Sequence, residues 1–386
     1  MHCVTQGSTP FRLNLHVRDL GHTFIFGPTG AGKSTHLSIL AAQLRRYGDM
    51  SIFAFDKGMS MYPLCAAINA STQGASGKHF TVAADDDQLA FAPMRFLDTQ
   101  SDRAWAAEWV DTIFALNGLI TTPEQRNAIS TAITSMHESK AHTLSDLRNT
   151  LQDKALRAAI EQYTIDGSFG HLLDADEDGL ELSDFTVFEI EELLNLGNKY
   201  ALPTLLYLFR RIERSLKGQP AVIILDEAWL MLDHEVFREK IREWLKVMRK
   251  ANCFVLMATQ SLSDVAGSGI LDVIVESTAT KIFLPNVYAR DEETSQLYKR
   301  MGLNNRQIDI LATAIPKRHY YYVSESGRRL YELGLGPMAL AFVGASDKES
   351  IAQIKNLQLK YGHDWVIEWL EAKGLDLNDY LYGAAA

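Results

Sequence analysis

Residues 27–34, GPTGAGKS, constrain the fold of this chain more than any other feature. They match a glycine, four variable residues and then glycine, lysine and serine, a pattern that works only between a strand and a helix. The preceding residues 22–26 are typical of a strand, and apolar residues recur at helical spacing over 37–44. Glycines let such a loop curl so that backbone N–H groups and the helix N-terminus face an anion. The sequence therefore predicts a phosphate-binding loop.

Each residue of this loop has an expected role in holding a nucleoside triphosphate. Lys33 places a cation on the β- and γ-phosphates, and the hydroxyl of Ser34 is available to Mg²⁺. The sequence therefore predicts ATP and Mg²⁺ as ligands. The residues expected to contact the nucleotide are Gly27, Pro28, Thr29, Gly30, Ala31, Gly32, Lys33, Ser34 and Thr35.

A pair of acidic residues provides the expected second half of the site. Asp226 and Glu227 follow the apolar run 221–225, which is typical of a buried strand. At the carboxyl end of such a strand, Asp226 can hold Mg²⁺ and Glu227 can polarise the attacking water. A glutamate directly after the aspartate favours a hydrolase over a kinase, in which a substrate hydroxyl is the nucleophile.

Two further polar residues follow predicted strands. Gln260 comes after the apolar run 253–258, which we expect beside the Asp226 strand, so that its amide can report the γ-phosphate to the rest of the protein. Alternatively, Gln260 is a polar loop residue that contacts only solvent. Asp56 follows the run 51–55. A role in the site and a role as a turn or capping carboxylate are equally good interpretations of this residue.

Strand and helix patterns alternate along the chain and predict an α/β fold. Strands are expected at 11–17, 22–26, 51–55, 185–190, 221–225, 253–258 and 280–284, and a hairpin-like region at 320–344. Apolar strands between amphipathic helices indicate a mostly parallel sheet with helices on both faces. Residues 101–179 have helical but no strand-like patterns, which predicts an inserted all-helical subdomain. The expected domains are 1–95 and 181–345 for the two parts of the core, 96–180 for the helical subdomain, and 346–386 for C-terminal helices.

Charge and composition exclude several classes of function. The 386 residues include 38 Lys and Arg against 48 Asp and Glu, a net charge of −10, whereas a protein that coats nucleic acid is usually basic. Any DNA contact is therefore expected to be local. Cys3, Cys65 and Cys253 are far apart in sequence and predict reduced thiols rather than disulfides or a zinc site. No apolar run reaches the length that spans a membrane.

With these residues placed, nearly the whole chain resembles the motor half of the TrbE/CagE-type ATPases of type IV secretion and conjugation systems. The shared segments GHTFIFGPTGAGKST (21–35) and VIILDEAWLML (222–232) contain the phosphate-loop and acidic-pair motifs, which occur in many unrelated ATPases. More particular to the family are the segments IFAFDKG (52–58), ESTATKIFLPN (276–286) and RRLYELGLGPMALAFVGAS (328–346). Members usually carry a large N-terminal domain, so we expect this chain to correspond to the C-terminal motor part of a longer protein.

The resemblance implies a RecA-like core with an inserted helical domain and Mg-dependent ATP hydrolysis that powers type IV secretion: conjugative transfer, pilus assembly or substrate export. It also implies self-association as a hexamer or a dimer-based ring. Partners would be other secretion components, with a cytoplasmic location, peripheral at the inner membrane in the full-length protein. Two alternatives stay open: a DNA-translocating motor of the FtsK/HerA or coupling-protein type, and a structural scaffold of the secretion complex that nucleotide only orders.

Arg328 and Arg329 are the predicted source of a second cation at the γ-phosphate. They follow the turn-like residues 324–327 and precede a strand-like run, where a loop could reach a neighbouring subunit. Ring ATPases commonly supply such an arginine in trans. The alternatives are a surface ion pair with Glu325 or Glu332, and a competing role for Arg290.

Overall fold

The structure is a computed structural model that describes residues 1–5, 7–19, 21–82, 89–227 and 234–377. Its described residues group into two compact units. One, here called the core unit, comprises Met1–His79, Ser183–Glu189 and Leu216–Ala386. The other, the helical unit, comprises Phe80–Leu182 and Ile190–Ser215.

A mixed sheet organises the strands. Six neighbouring strands are parallel, in the order β9-β3-β8-β7-β4-β6, while β10, β11, β1 and β2 continue the sheet beyond β9 in antiparallel pairs and β5 lies beyond β6. The strands are β1 His2–Val4, β2 Pro10–Arg12, β3 Thr23–Phe26, β4 Ser51–Asp56, β5 Lys78–Thr81, β6 Phe185–Glu189, β7 Ala221–Leu225, β8 Cys253–Thr259, β9 Thr280–Phe283, β10 His319–Ser324 and β11 Gly327–Glu332.

Helices follow most of the parallel strands. Within the described residues they are α1 Lys33–Leu44, α2 Tyr62–Ser71, α3 Gln100–Leu116, α4 Pro123–Ser139, α5 Leu144–Thr150, α6 Lys154–Ile160, α7 Gly170–Leu173, α8 Glu191–Asn195, α9 Asn198–Ser215, α10 Glu235–Val247, α11 Leu262–Gly267, α12 Leu271–Ser277, α13 Glu292–Arg300, α14 Asn305–Thr313, α15 Pro337–Val343, α16 Lys348–Tyr361 and α17 Trp365–Ala372.

Apolar residues on both faces of the central strands explain why the sheet is covered on both sides. On one face, Ile25 and Ile52 belong to a buried cluster with Leu37 and Leu40 of α1. On the other face, the ring of Phe26 lies edge-on to Tyr298 of α13, with centroids 5.6 Å apart. Successive strand residues point to opposite faces, so a strand that is apolar throughout needs a helix on each side. The predicted α/β class, a mostly parallel sheet with helices on both faces, is confirmed.

Short or irregular strands depart from the sequence-based expectation. The strand predicted at 11–17 covers only Pro10–Arg12, which pairs with the unpredicted strand His2–Val4. The hairpin-like region predicted at 320–344 contains the hairpin β10–β11, but its last part is the helix α15. Gly336 and Pro337 explain this difference, because proline favours the first turn of a helix and lacks the N–H that a central strand donates.

The helical unit includes residues that the sequence assigned to the core. Residues 190–215, and with them α9, group with the helices of 80–182. Trp109 donates its indole N–H to the carbonyl of Pro203 at 2.9 Å, and Arg210 pairs with the buried carboxylate of Asp102 at 2.8 Å. These side-chain contacts, which helical periodicity does not reveal, hold α9 against α3.

Candidate nucleotide-binding site

The phosphate loop connects β3 to α1 and leaves the helix N-terminus open. Gly32 precedes α1 with φ +99° and supplies no side-chain cap, so the first N–H groups of the helix remain available to an anion. A Cβ atom at Gly32 would lie 2.9 Å from the Tyr320 hydroxyl, and one at Gly27 would lie 2.6 Å from Cβ of Leu284. Close packing therefore favours glycine at both positions, and at Gly32 the positive φ favours it as well.

Hydrogen bonds from neighbouring segments fix the loop. Gly27 donates its N–H to the carbonyl of Thr259 at 3.1 Å, and the N–H of Lys317 donates to the carbonyl of Ala31 at 2.9 Å. The hydroxyl of Thr29 donates to Oε1 of Gln260 at 2.5 Å. Gln260 thus lies beside the phosphate loop, and its strand β8 pairs with β7, the strand before Asp226, as expected. Its role in reporting the γ-phosphate remains a prediction.

Lys33 and the two acidic residues after β7 meet at the centre of the site. The Lys33 ammonium lies 3.1 Å from Oδ1 of Asp226 and also contacts Oε1 of Glu227. Lys33 and Asp226 are 8% and 2% exposed, so these charges interact with little solvent screening. Burial raises the pKa of Asp226, and the Lys33 charge opposes that effect. The structure therefore brings together Lys33, Asp226 and Glu227, as their positions in the sequence predict.

Glu227 adopts an unusual backbone conformation. Its φ is +55°, in the left-handed region that non-glycine residues rarely occupy, and its N–H donates to Oδ1 of Asp226 at 3.0 Å. Such backbone strain is concentrated at functional sites in proteins. With this backbone conformation, the Glu227 carboxylate lies beside Lys33. Residues 228–233, the end of the segment VIILDEAWLML and the residue after it, lie outside the described part of the chain.

The oxygen donors beside the loop fit Mg²⁺. Ser34 is the second residue of α1, and within the described residues its hydroxyl has no hydrogen-bond partner. The carboxylate of Asp226 is also near this loop, because it pairs with Lys33, the first residue of α1. Hydroxyl and carboxylate oxygens are the ligands that Mg²⁺ prefers, and Mg²⁺ at triphosphate sites needs few protein ligands because phosphates and water supply the rest.

Two more carboxylates, those of Asp56 and Glu189, lie at the carboxyl ends of the parallel strands β4 and β6. Asp56 on β4 accepts from the Ser60 hydroxyl at 2.5 Å and from the Met61 N–H at 2.8 Å. Burial, with smaller contributions from the charges of Asp226 and Glu189, raises the pKa of Asp56 to about 7. Asp56 therefore caps the turn after β4, one of the two interpretations that its sequence position left open.

Glu189 on β6 was not singled out from the sequence. Its carboxylate accepts from the N–H groups of Gly58 at 3.1 Å and Met59 at 2.6 Å. Both donors have positive φ, +81° and +60°. Glu189 thus fixes the turn within the family segment IFAFDKG. The sequence signals were an acidic residue near the end of a predicted strand and its place in the segment VFEIEEL (187–193), which also resembles the family.

Arg328 and Arg329 do not reach the phosphate loop of their own chain. Sheet register places Leu330, opposite Tyr321 and Phe283, at the level of Phe26, where the loop begins. The arginines precede Leu330 in β11 and lie toward the opposite end of the sheet, exposed to solvent.

The alternatives for these arginines involve other partners. Glu325 pairs with Arg18 at 2.7 Å and Glu332 pairs with Arg318 at 2.8 Å, while Arg290 pairs with Asp309 at 2.7 Å. Among the described residues, none forms a hydrogen bond or ion pair with the side chain of Arg328 or Arg329. A role in trans remains a prediction for both.

The fold and the site define the class of protein: an α/β P-loop nucleotide-binding domain with a helical insertion. A family model described as the TraG P-loop domain matches residues 134–322. The chain is 54% identical to the conjugal transfer protein TrbE of Rhizobium radiobacter over 99% of its own length and 46% of that relative. It is 27% identical to the type IV secretion system protein VirB4 of Bartonella quintana, over 93% of the chain and 46% of the relative.

A solved structure shows the same fold. The structure of VirB4 of Thermoanaerobacter pseudethanolicus matches with a TM-score of 0.69 and 17% identity, covering 88% of this chain and 97% of that one. By sequence and fold, the chain belongs to the TrbE/VirB4 family over the part that it spans. It spans about half the length of these TrbE and VirB4 relatives. In the described part of the chain, none of the helices has both the length and the apolar character needed to cross a bilayer.

Proposed function

We propose that the chain hydrolyses ATP in the presence of Mg²⁺ and that this hydrolysis powers a type IV secretion machine. The observation that carries the proposal is the contact of the buried Lys33 ammonium with Asp226 and Glu227 beside an open helix N-terminus. A cation, a metal-binding carboxylate and a second carboxylate at one loop are the groups that phosphoryl transfer to water requires.

Each residue has a distinct part in the proposed reaction. Backbone N–H groups of the loop bind the phosphates, and Lys33 neutralises charge on the β- and γ-phosphates. Ser34 and Asp226 would hold Mg²⁺, which supplies charge neutralisation on the phosphate oxygens when bound. Glu227 orients and polarises the attacking water. The γ-phosphate competes with Glu227 for the Lys33 ammonium, so nucleotide binding releases the Glu227 carboxylate for this task.

The proposed biological setting follows from the relatives. Proteins named for conjugal transfer and type IV secretion match the chain along more than nine tenths of its length. We therefore propose other secretion components as partners, self-association as a hexamer or a dimer-based ring, and a peripheral position at the cytoplasmic face of the inner membrane. The net charge of −10 supports local rather than general contact with any transported nucleic acid.

Turnover by a Lys33→Ala variant tests the assignment. The variant loses the charge-assisted contact with the β- and γ-phosphates, so release of phosphate from Mg-ATP should fall to background. Circular dichroism and the thermal unfolding midpoint should show that the variant remains folded. Wild-type turnover in a folded Lys33→Ala protein would refute the proposed site.

A further inference from the structure

A cleft of about 220 Å³ opens beside the phosphate loop on the side away from Asp226 and Glu227. It lies within the core unit, and its volume is below the range for sites that enclose a whole small molecule, which begins at about 300 Å³, so it suits one part of a larger ligand. The lining residues used below are Thr35, Lys317, Arg318, Glu332, Leu335 and Leu340. Leu335 and Leu340 belong to the family segment of residues 328–346, to which the phosphate chemistry gives no role.

The position of the cleft matches the direction in which a bound nucleotide must run. Lys33, Asp226 and Glu227 mark the γ-phosphate end, and the acidic pair follows β7. β7 lies on one side of β3, whereas β10 and β11 lie on the other. A triphosphate whose γ end points toward β7 directs its nucleoside toward β10 and β11. Thr35, in the first turn of α1, lines the cleft on that side.

One wall of the cleft is fixed to the phosphate loop itself. The Lys317 N–H donates to the carbonyl of Ala31 at 2.9 Å, and the Tyr320 hydroxyl donates to the carbonyl of Gly32 at 3.4 Å. A Cβ atom at Gly32 would lie 3.2 Å from Cα of Lys317. The segment 317–320 therefore keeps its position relative to the bound phosphates.

Arg318 provides a flat surface in this wall. Its Nε donates to Oε2 of Glu332 at 2.8 Å, and His319 lies 3.3 Å from the other oxygen of the same carboxylate. The Arg318 hydrogen bond lowers the pKa of Glu332, which keeps this carboxylate charged. The Arg318 side chain is nevertheless 62% exposed, so a face of its guanidinium is open to a ligand. Guanidinium planes held in this way stack on aromatic rings.

Apolar side chains complete the cleft. Leu340 is 44% exposed although it lies close to the charged loop, and Leu335 is half-buried beside it. An aromatic base placed in the cleft would cover both leucines and contact Arg318. Burial of their apolar surface would then add to the affinity.

We propose that this cleft binds the base and ribose of the nucleotide, with the base stacked on Arg318 and against Leu335 and Leu340. This assignment rests on the proposed function, because it requires the triphosphate to lie in the phosphate loop. Arg318 would act as an affinity-determining residue for the nucleoside, and Glu332 would position it. The family segment around Leu335 and Leu340 would then serve to hold the nucleoside.

Calorimetric titration with two probes separates the cleft from the loop. Mg-ATP should occupy both, whereas inorganic tripolyphosphate with Mg²⁺ should occupy the loop alone. Arg318→Ala and Leu340→Ala should each weaken ATP binding by about tenfold, as expected for loss of one stacking or apolar contact, and leave tripolyphosphate binding unchanged. Arg318→Lys keeps the charge but loses the flat surface, so it should behave like Arg318→Ala. Lys33→Ala should weaken both probes.

Matched controls are available on exposed helices. Arg157→Ala on α6 and Leu359→Ala on α16, where Leu359 is 88% exposed, should bind both probes like wild type. Unchanged ATP affinity in the cleft variants, or parallel loss of ATP and tripolyphosphate, would overturn the assignment of the cleft. Wild-type protein that binds tripolyphosphate as tightly as ATP would overturn it as well. Failure of Lys33→Ala to weaken either probe would instead overturn the proposed function.

Discussion

At the scale of single residues, the charge of Lys33 compensates the two carboxylates of the site. This ammonium contacts both Asp226 and Glu227, so the residue that must bind phosphate is occupied by the carboxylates that must act on metal and water. The three groups are nearly buried, and each would be costly to leave without an opposite charge. In the proposed reaction, nucleotide binding therefore exchanges one set of ion pairs for another.

Glu227→Gln separates binding from chemistry at this site. Glutamine keeps the shape of the side chain but cannot accept a proton, so hydrolysis should slow by about 10²- to 10⁴-fold. Because Lys33 loses a competing carboxylate, the variant should bind Mg-ATP at least as tightly as wild type. Phosphate release and equilibrium titration measure the two effects. A parallel drop in affinity and turnover would place Glu227 in metal binding or packing instead.

At the scale of elements, the turn between β4 and α2 depends on a strand that is distant in sequence. Glu189 of β6 accepts from the N–H groups of Gly58 and Met59, while Asp56 accepts from Ser60 and Met61. Two carboxylates from neighbouring strands thus pair four donors of one short turn. The bonds to Glu189 satisfy the two residues with consecutive positive φ angles, Gly58 and Met59, and so stabilise the turn.

Glu189→Ala should destabilise the core unit by roughly 1–3 kcal/mol, because two backbone donors lose their charged acceptor. Urea unfolding monitored by fluorescence measures this loss as a lower midpoint at unchanged slope. Glu192→Ala, at an exposed position on α8, is the matched control and should leave the midpoint unchanged. Glu189→Gln keeps an acceptor and should fall between the two. Equal midpoints for Glu189→Ala and the control would show that the turn does not need this carboxylate.

The elements also show which parts of the fold and site could be predicted from sequence. The phosphate loop and the acidic pair were predictable, because local patterns determine a loop between a strand and a helix and a buried strand that ends in carboxylates. Glu189 and the segment 317–320 were not, because their roles depend on pairing between β4 and β6 and on contact with Gly32. The short strands β1 and β2 carry too few residues for a period-2 pattern to define them.

At the scale of the whole molecule, Arg328 and Arg329 lie apart from the phosphate loop of their own chain. Lys33 lies at the loop, whereas sheet register places Arg328 and Arg329 toward the far end of β11. These arginines are exposed and make no ion pair within the described residues. A second copy of the chain could therefore present them to a neighbouring site.

Mixing two inactive variants tests this proposed role in trans. Arg328→Ala or Arg329→Ala should bind ATP like wild type but hydrolyse it slowly, since a transition-state cation is missing. Adding Lys33→Ala protein should restore part of the activity, because one subunit then supplies the arginine and the other the intact loop. Arg306→Ala, at another exposed position, should hydrolyse ATP normally and serves as the control. No rescue under conditions where assembly is verified by light scattering would exclude the trans role.

The way the chain passes between its two units has a consequence for folding. The segment Ser183–Glu189 belongs to the core unit, but the chain on both sides of it belongs to the helical unit. Ile52 of β4 pairs with Phe185 of β6, and the first helical segment lies between them in the sequence. Closing so long a connection costs little extra equilibrium free energy but slows the search for the native pairing. We therefore expect β6 to pair with β4 late in folding, and the turn that Glu189 fixes to become ordered only after that pairing.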